Sequence, residues 1–285
     1  MPRAERGYRS VTWVGHSTVL LQLGRLNVLT DPVWSERASP LAWMGPRRLM
    51  APGIGFDALP PIDVVLLSHN HYDHLDATTV RRIAARFPDA AWLCPLGLGP
   101  LLHRLGVSHF VERDWWQSLD TLSLPTAFSA TCAPAQHFSA RGLGDRNDTL
   151  WCSWAIEADG VRVYFGGDTG LHPEFATIGS RLGPFDLVML PIGAYEPRWF
   201  MRSVHCNPED AVAAYRALTS GVAVAPPCLA LHWGTFRLTD EPVEDPPGRF
   251  GRRCREAGFL DGTNWTFAHG ETRRVQKLGF SNPAG

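Results

Sequence analysis

The sequence predicts a layered α/β fold whose polar chemistry is concentrated at one edge. Short runs of β-branched and aromatic residues, separated by turn residues, dominate the first two-thirds of the 285-residue chain and indicate strands. Segments with helical periodicity follow some of these strands. Histidines and aspartates come directly after several strands, and strand ends gather at one edge of a layered fold.

The predicted strands are short and are separated by clear turn signals. They cover residues 11–14, 18–23, 26–30, 64–67, 92–94, 128–131, 151–157, 161–165, 186–190 and 228–231. Gly24 supplies the turn between the second and the third strand. The tripeptide Ala158-Asp159-Gly160 predicts a hairpin, because an Asp-Gly pair accepts positive φ.

Apolar periodicity and capping residues predict three helices. The helices cover about residues 76–87, 207–218 and 250–257. Asp76 is the expected N-cap of the first helix. Asn207 and Pro208 begin the second helix, since proline fits the first helical position.

Composition and charge exclude several classes of protein. With 45% apolar residues, 19% charged residues and a formal net charge of −1, the chain is typical of a globular protein and lacks the basic surface of a nucleic-acid-binding protein. The N-terminal arginines are not followed by an apolar segment, so no secretory signal is expected. No apolar run approaches the roughly 18 to 20 residues that span a bilayer. Six cysteines without a C-x-x-C pair favour reduced thiols and a cytoplasmic location.

The segment S-H-N-H-Y-D-H-L-D at residues 68–76 carries the strongest functional signal. It directly follows an apolar strand, where polar groups must find partners. His69 and His71 are two residues apart, so their side chains project to the same side of an extended segment. Asp73 and His74 come as the chain turns into the helix and can face a second point. The spacing predicts two adjacent metal ions, and these ligand types suit zinc as well as iron or manganese.

Histidines and aspartates elsewhere in the chain carry a weaker signal. His137, Asp168 and His232 each follow a strand, so we expect them to join the cluster at the same edge. The alternative for an isolated histidine or aspartate is a buried hydrogen-bonding or capping role. Residue type and context favour this alternative for Asp31, His16, His103, His109 and His269.

Together these residues resemble the metallo-β-lactamase superfamily, and more closely its N-acyl-phosphatidylethanolamine-hydrolysing phospholipase D family. Besides the histidine segment, the similarity includes V-G-H-S-T-V at 14–19, L-T-D-P-V-W-S-E-R-A-S-P at 29–40 and M-G-P-R-R at 44–48. It extends over nearly the whole chain through D-W-W at 114–116, F-G-G-D-T-G at 165–170, G-P-F-D-L-V-M-L-P-I-G-A-Y-E-P-R-W-F-M at 183–201 and L-H-W-G-T-F at 231–236.

The resemblance implies a four-layered αββα sandwich, with two mixed β-sheets between helical layers, formed by a single domain over residues 1–285. It also implies two zinc ions at one edge. By position in the motifs, His69, His71 and His137 hold the first ion, Asp73, His74 and His232 hold the second, and Asp168 bridges both. Asp31 matches a position that orients a ligand imidazole. Members of the family can be homodimeric, so a homodimer is the expectation here.

By the same resemblance, the reaction is hydrolysis of N-acyl-phosphatidylethanolamine-like phospholipids to an N-acylethanolamine and a phosphatidate. A hydroxide held between the metals would attack phosphorus. Catalytic roles then fall to Asp73, His74 and Asp168. His205 precedes a helix and is the candidate proton donor, and its alternative interpretation is an exposed loop histidine.

Large aromatic and thioether side chains are expected to bind the substrate, since they suit flexible acyl chains. The candidates in one segment are Tyr195, Trp199, Phe200 and Met201, for which the alternative is an ordinary core. Trp43 and Met44 lie near Arg47 and Arg48, a combination that favours peripheral contact with an anionic membrane surface. Solvated surface is the alternative for this arginine pair.

Other functions stay open, because one dimetal core serves many chemistries. The chain could be a lactonase, or another ester or phosphodiester hydrolase that acts on a soluble substrate. It could also be a non-catalytic metal-binding scaffold, which the intact ligand set disfavours. A nuclease is disfavoured by the balanced charge.

Overall fold

The computed structural model describes residues 3–120 and 124–279, which form two mixed β-sheets with helices on their outer faces. The first sheet contains β1 (Arg9–Gly15), β2 (Thr18–Leu23), β3 (Leu26–Thr30), β4 (Val64–Leu66), β5 (Ala91–Pro95), β6 (Phe110–Arg113) and β14 (Thr272–Arg274). The second sheet contains β7 (Ser118–Asp120), β8 (Phe128–Ala133), β9 (Ser153–Ala158), β10 (Val161–Phe165), β11 (Leu187–Pro191), β12 (Cys228–Leu231) and β13 (Asn264–Trp265).

Strand direction brings several strand ends to the same edge. The strand order is β14-β1-β2-β3-β4-β5-β6 in the first sheet and β13-β12-β11-β10-β9-β8-β7 in the second. Strands β3 to β6 run parallel to one another, as do strands β10 to β13. The carboxyl ends of parallel strands point the same way, so the segments that follow β3, β4, β10, β11 and β12 can meet.

The helices cover both outer faces of the sandwich. Helices α1 (Ala77–Arg86) and α2 (Gly99–Arg104) contribute Val80, Ile83 and Leu102 to the core outside the first sheet. Helices α3 (Glu174–Leu182), α5 (Pro208–Leu218) and α6 (Asp245–Glu256) contribute Ile178, Tyr215 and Phe250 to the core outside the second sheet. A short helix α4 (Arg198–Met201) and a 3-10 turn at Phe56–Ala58 complete the described helices. The predicted αββα sandwich is therefore confirmed.

The central core lies between the two sheets and contains the fully buried Trp13 and Trp154. Alternation along β1 and β2 points one apolar face of each strand into the central core, while the opposite face is buried and mixes polar and apolar residues. Val19 and Leu21 of β2 point into the central core, whereas Leu20 packs in the core beneath α1. All six residues of β2 are buried, so this strand has no solvent-exposed face.

Several local predictions are confirmed by the structure. The side chain of Asp76 accepts a hydrogen bond from Thr78 N at 3.1 Å and caps α1. Asn207 caps α5 in the same way. Asp159 and Gly160 both have positive φ (49° and 76°) in the tight turn between β9 and β10.

The structure also differs from the predictions at several elements. Helix α6 begins at Asp245, five residues before its predicted start, because Pro246 and Pro247 lie in its first turn, where the missing N–H groups have no helical partner. Strand β9 begins at Ser153 and not at Trp151. The short strands β6, β7, β13 and β14 were not predicted, since each has four residues or fewer and little apolar periodicity.

Two predictions from composition concern membrane spans and thiols. Among the helices of the described residues, none is long and apolar enough to cross a membrane. All six cysteines are buried as free thiols.

Candidate metal centre

The predicted ligands lie together at the edge where the parallel strands end. Asp31 follows β3, His69 follows β4, Asp168 follows β10 and His232 follows β12. His137 comes from the loop after β8. These five side chains are buried. The structure thus brings residues that are far apart in sequence, and that come from both sheets, into one cluster.

Close approach of the backbone makes this cluster compact. Gly167 has a φ of 57°, and a Cβ at this position would lie 2.5 Å from the Cβ of Ser68. A Cβ at Gly193 would lie 2.1 Å from the carbonyl oxygen of His232. Side chains larger than hydrogen are therefore excluded at both glycines, which lets Asp168 and His232 approach the histidine segment.

One group of nitrogen atoms fits a single metal ion. His69 Nε2 lies 2.8 Å from His71 Nδ1, and His71 Nδ1 lies 3.2 Å from His137 Nε2. A tetrahedral zinc ion with bonds of 2.0–2.1 Å separates its ligand atoms by about 3.3 Å. His137 Nδ1 donates to the carbonyl oxygen of Val204 at 2.9 Å, which leaves the lone pair on Nε2, facing the other two histidines.

A second group contains two carboxylate oxygens and two imidazole nitrogens. Asp73 Oδ2 lies 3.5 Å from His74 Nε2 and 3.4 Å from His232 Nε2. Asp168 Oδ2 lies 3.1 Å from each of the same two nitrogens. These separations are also close to those expected around one ion.

Asp168 lies between the two groups. Its Oδ2 is within 4.0 Å of a ring nitrogen of five histidines: His74 and His232 at 3.1 Å, His137 at 3.7 Å, His69 at 3.9 Å and His205 at 4.0 Å. A carboxylate in this position can contact metal ions on both sides.

Buried polar atoms without partners show what this cluster requires. Within residues 3–120 and 124–279, His74 Nε2, His232 Nε2 and Asp168 Oδ1 are buried and make no hydrogen bond. Each such atom costs about 1–3 kcal/mol when it stays unsatisfied. Coordination to a divalent cation would satisfy all three atoms, so the donor set and its geometry fit bound metal.

The buried ionisable groups of this cluster shift one another's pKa values. Burial lowers the pKa of His69 and His137 well below the usual histidine range, which keeps both imidazoles neutral. Burial opposes ionisation of Asp73 and Asp168, but the neighbouring histidines, with His74 and His232 the main contributors, lower both carboxylate pKa values well below their usual range. Neutral imidazole and ionised carboxylate are the forms that coordinate metals. Although burial opposes the shift, Asp168 and Asp73 raise the pKa of His74 and His232, to about 9 for His232, so a metal ion would displace a proton from each of these two rings.

Asp31 holds one of the histidines in place. It is fully buried and accepts hydrogen bonds from Ser68 N at 2.7 Å, Ser68 Oγ at 2.6 Å and His74 Nδ1 at 2.6 Å. The contact with His74 Nδ1 turns Nε2 of the same ring towards Asp168. Burial raises the pKa of Asp31, and the His74 imidazole opposes that shift. The structure therefore places Asp31 where the resemblance predicts an orienting carboxylate.

His16 also lies in this cluster, although its context in the sequence favoured an ordinary core role. Its Nε2 lies 2.9 Å from Asp73 Oδ2, and its ring centroid is 4.0 Å from that of His232. Burial lowers its pKa to about 3, so the neutral ring donates through Nε2 to Asp73. The residue has a φ of 56°, and its backbone N–H donates to Thr235 at 2.7 Å. The V-G-H-S turn between β1 and β2 is the signal that could have identified it.

Replacing His16 with alanine is expected to release metal from the Asp73 side of the cluster first. Asp73 would lose the hydrogen bond that fixes its carboxylate, and loss of such a partner weakens metal binding about 10- to 100-fold. The metal content per chain, measured by elemental analysis, should fall in His16→Ala. His16→Gln keeps an N–H donor and should retain more metal than His16→Ala. His103→Ala on the exposed side of α2 serves as the control. Unchanged metal content in His16→Ala would contradict the positioning role.

A cavity of about 270 Å³ opens beside the metal centre. His71, Asp73, Asp168 and His205 form its polar wall. Other lining side chains are mostly apolar and include Phe138, Phe200, Met201, Val204 and Leu238. A reacting group held at Asp168 could therefore extend an apolar chain along the opposite part of the lining.

The structure separates the predicted substrate residues into two sets. Phe200 and Met201 line the cavity, and His205 lines it as a buried residue, not as an exposed loop histidine. Tyr195 does not line the cavity. Its ring is buried and its hydroxyl donates to Asp245 at 2.5 Å, which directs the side chain away from the cavity. Trp199 is 85% exposed and packs against Phe200.

Trp43 and Met44 are exposed to solvent and do not line this cavity. They are 73% and 52% exposed, respectively. Arg48 is turned inward, where it donates to the carbonyl oxygen of Val33 at 2.7 Å and lies over the ring of Phe236. Arg47 alone of the pair is mostly exposed, with a distant contact to Glu36 at 3.7 Å. The two arginines therefore do not form one basic surface.

The αββα sandwich and its histidine–aspartate edge define a protein of the metallo-hydrolase type. The model of the beta-lactamase superfamily domain matches residues 26–233. The chain belongs to that family.

Two relatives cover most of this chain. An uncharacterized protein of Mycobacterium tuberculosis is 46% identical over 250 residues, which is 87% of this chain and 64% of that protein. The N-acyl-phosphatidylethanolamine-hydrolyzing phospholipase D 1 of Caenorhabditis elegans is 42% identical over 233 residues, or 80% of this chain and 64% of that protein. The chain thus spans somewhat less than two-thirds of the length of these relatives.

Solved structures show the same fold at low sequence identity. Igni18, a metallo hydrolase from Ignicoccus hospitalis, superposes with a TM-score of 0.69 at 21% identity and covers 95% of this chain and 99% of its own. CmlA, a diiron beta-hydroxylase from Streptomyces venezuelae, superposes with a TM-score of 0.66 at 22% identity. The match covers 94% of this chain and 54% of the CmlA chain. At this identity the likeness concerns the fold.

Proposed function

We propose that the chain is a dinuclear zinc phosphodiesterase of phospholipase D type. Its substrates would be N-acyl-phosphatidylethanolamine-like phospholipids, and its products an N-acylethanolamine and a phosphatidate. The observation that carries the proposal is the position of Asp168 Oδ2, between two sets of histidines and in the wall of a largely apolar cavity. Similarity to the Caenorhabditis elegans phospholipase supports the choice of substrate class.

The ligand residues have distinct tasks in this proposal. His69, His71 and His137 would hold one ion, Asp73, His74 and His232 would hold the other, and Asp168 would contact both. Ions bound there would supply hydroxide at neutral pH and neutralise the charge of the reacting phosphoryl group. Asp31 keeps the His74 ring oriented, and His16 does the same for the Asp73 carboxylate.

His205 is placed to interact with the departing alkoxide. It lines the cavity, and its buried Nδ1 has no hydrogen-bond partner in the described parts of the chain. Burial lowers its pKa to about 4, so the ring is neutral at pH 7 and carries one N–H. A neutral imidazole can donate a hydrogen bond to the leaving oxygen and stabilise its developing charge, while solvent supplies the proton. The apolar lining, with Phe200 and Met201, would receive an acyl chain.

A product analysis tests this function. Zinc-loaded protein should convert N-acyl-phosphatidylethanolamine in mixed micelles to N-acylethanolamine and phosphatidate in equal amounts, and chelation should abolish turnover. Elemental analysis should give two zinc ions per chain. Turnover after reconstitution with iron or manganese, compared with turnover of the zinc form, tests whether these metals support the reaction. Turnover of soluble diesters or lactones without turnover of the lipid would overturn the substrate assignment. Bound metal without hydrolysis of any ester would support a scaffold.

The size of the cavity favours a second candidate, a hydrolase of a small soluble ester or phosphodiester. Its volume of about 270 Å³ lies just below the roughly 300–1,000 Å³ that is typical of ligand pockets. A lipid would therefore keep part of its chains outside. The same substrate panel separates the two candidates.

A further inference from the structure

One guanidinium lines the cavity beside the metal centre. Arg146 is the one arginine or lysine among the described residues of the lining, whose other members are apolar, uncharged or part of the metal cluster. We propose that Arg146 binds the negative charge of the substrate and restricts the enzyme to anionic esters. This inference rests on the proposed function and specifies the charge of its substrate.

The guanidinium is held close to the metal centre by aromatic stacking. Its central carbon lies 4.2 Å from the centroid of the Phe138 ring. The Phe138 ring in turn packs edge-on against His71, with centroids 4.6 Å apart and an interplanar angle of 68°. The positive charge is therefore separated from a proposed metal ligand by a single aromatic ring.

No carboxylate neutralises this cation. Within the described parts of the chain, the side chain of Arg146 makes no hydrogen bond and no ion pair. The adjacent Asp145 is already engaged, since it accepts hydrogen bonds from the backbone N–H groups of Arg141 at 3.0 Å and Gly142 at 2.7 Å. The donors of Arg146 are thus free for a ligand.

The loop that carries Arg146 is fastened to the histidine segment. Arg141 Nη1 donates to the carbonyl oxygens of Asn70 at 2.6 Å and Leu75 at 2.8 Å, which flank three of the proposed ligands of that segment. Ala140 N donates to the Asn70 side chain at 2.9 Å. The loop closes on itself where Asn147 N donates to Ser139 O at 2.8 Å. A loop fixed in this way keeps the guanidinium at a constant position relative to the metal centre.

The chemistry of arginine points to an oxyanion. Its planar fork of donors matches the two free oxygens of a phosphodiester monoanion and forms paired, charge-assisted hydrogen bonds with them. Phe200 and Leu238 line the same cavity and suit an apolar substituent. The expected ligand is therefore an anionic phosphodiester with an apolar arm, and an uncharged ester of the same size would lack this contact.

A binding measurement tests the inference independently of turnover. Dibutyl phosphate, an anion, and tributyl phosphate, its uncharged counterpart, are titrated into zinc-loaded protein by calorimetry. Arg146→Gln should weaken dibutyl phosphate binding at least roughly tenfold and leave tributyl phosphate unchanged. Arg146→Lys keeps the charge but not the planar fork of donors. Its affinity for dibutyl phosphate should lie between the affinities of the wild type and of Arg146→Gln. Zinc content should be the same in all three proteins.

Arg82 provides a matched control. Its guanidinium also stacks on a phenylalanine, 3.7 Å from the centroid of Phe56, but on the exposed side of α1 and away from the cavity. Arg82→Gln should bind both ligands as the wild type does. Equal losses for the charged and the uncharged ligand in Arg146→Gln, or no loss for the anion, would overturn the inference. Failure of lipid hydrolysis alone would refute the proposed function without affecting this result.

Discussion

Replacing Asp168 with asparagine is expected to strip metal from the protein and to lower turnover at least about a thousandfold. Its Oδ2 is the oxygen that approaches ring nitrogens of both proposed ligand sets, at 3.1 Å from His74 and at 3.7 Å from His137. An amide retains the shape of the side chain but removes the charge that would hold two cations near each other. Zinc stoichiometry from elemental analysis, measured together with kcat, checks the prediction.

Asp186→Asn is the matched control for this experiment. Asp186 is another buried aspartate of the second sheet, but it precedes β11, at the opposite end of the strands, and accepts hydrogen bonds from Arg162 N at 2.8 Å and Leu278 N at 2.6 Å. Its replacement should leave zinc content and kcat close to those of the wild type. Full zinc occupancy and full activity in Asp168→Asn would show that Asp168 does not bridge the ions.

Replacing Asp31 with alanine should produce the second-largest effect, on both metal affinity and stability. The Ser68 and His74 donors would be left buried without an acceptor, and breaking a buried pair of this kind costs about 3–5 kcal/mol. The His74 ring would lose its fixed orientation, which should weaken zinc binding about 10- to 100-fold. Urea unfolding of the metal-free protein gives the first quantity, and competition with a chelator gives the second.

Two further variants separate the effects on stability and on metal. Asp31→Asn keeps an acceptor for Ser68 and should unfold at higher urea concentration than Asp31→Ala. Asp63→Asn acts at the other end of β4, where Asp63 accepts from Asn27 N at 2.8 Å. That change should alter stability but not zinc affinity. If Asp31→Ala bound zinc as tightly as the wild type, the orienting role of Asp31 would be disproved.

The fold was predictable mainly where burial leaves a strong pattern. Strands that are covered on both faces, such as Val64–Leu66, appear as apolar runs in the sequence, and Asp76 and Asn207 mark helix starts by their capping chemistry. All three residues of the edge strand Thr272–Arg274, one threonine and two arginines, are exposed. Its pairing with β1 depends on tertiary contacts, for which local sequence carries no signal.

The candidate site was predictable to the extent that residue type signals metal chemistry. Spacing and strand-end position identified the histidine segment and the isolated Asp168 and His232. His16 was missed because its role comes from a contact with Asp73, which is distant in sequence. Tyr195 lies outside the cavity for a similar reason, since its hydroxyl donates a hydrogen bond to Asp245. Both outcomes depend on contacts between residues that are distant in sequence.

The backbone at the metal edge carries conformational strain. His16, Asp31 and His232 have φ angles of 56°, 33° and 63°, a region that costs non-glycine residues about 1–3 kcal/mol each. Glycine or asparagine at these positions would relieve the strain and raise thermal stability. Either residue would also remove a side chain of the proposed metal site. At these three positions, thermal stability and metal binding therefore favour different residues. Substitutions that raise the free energy of unfolding without loss of the proposed site must lie elsewhere in the sandwich.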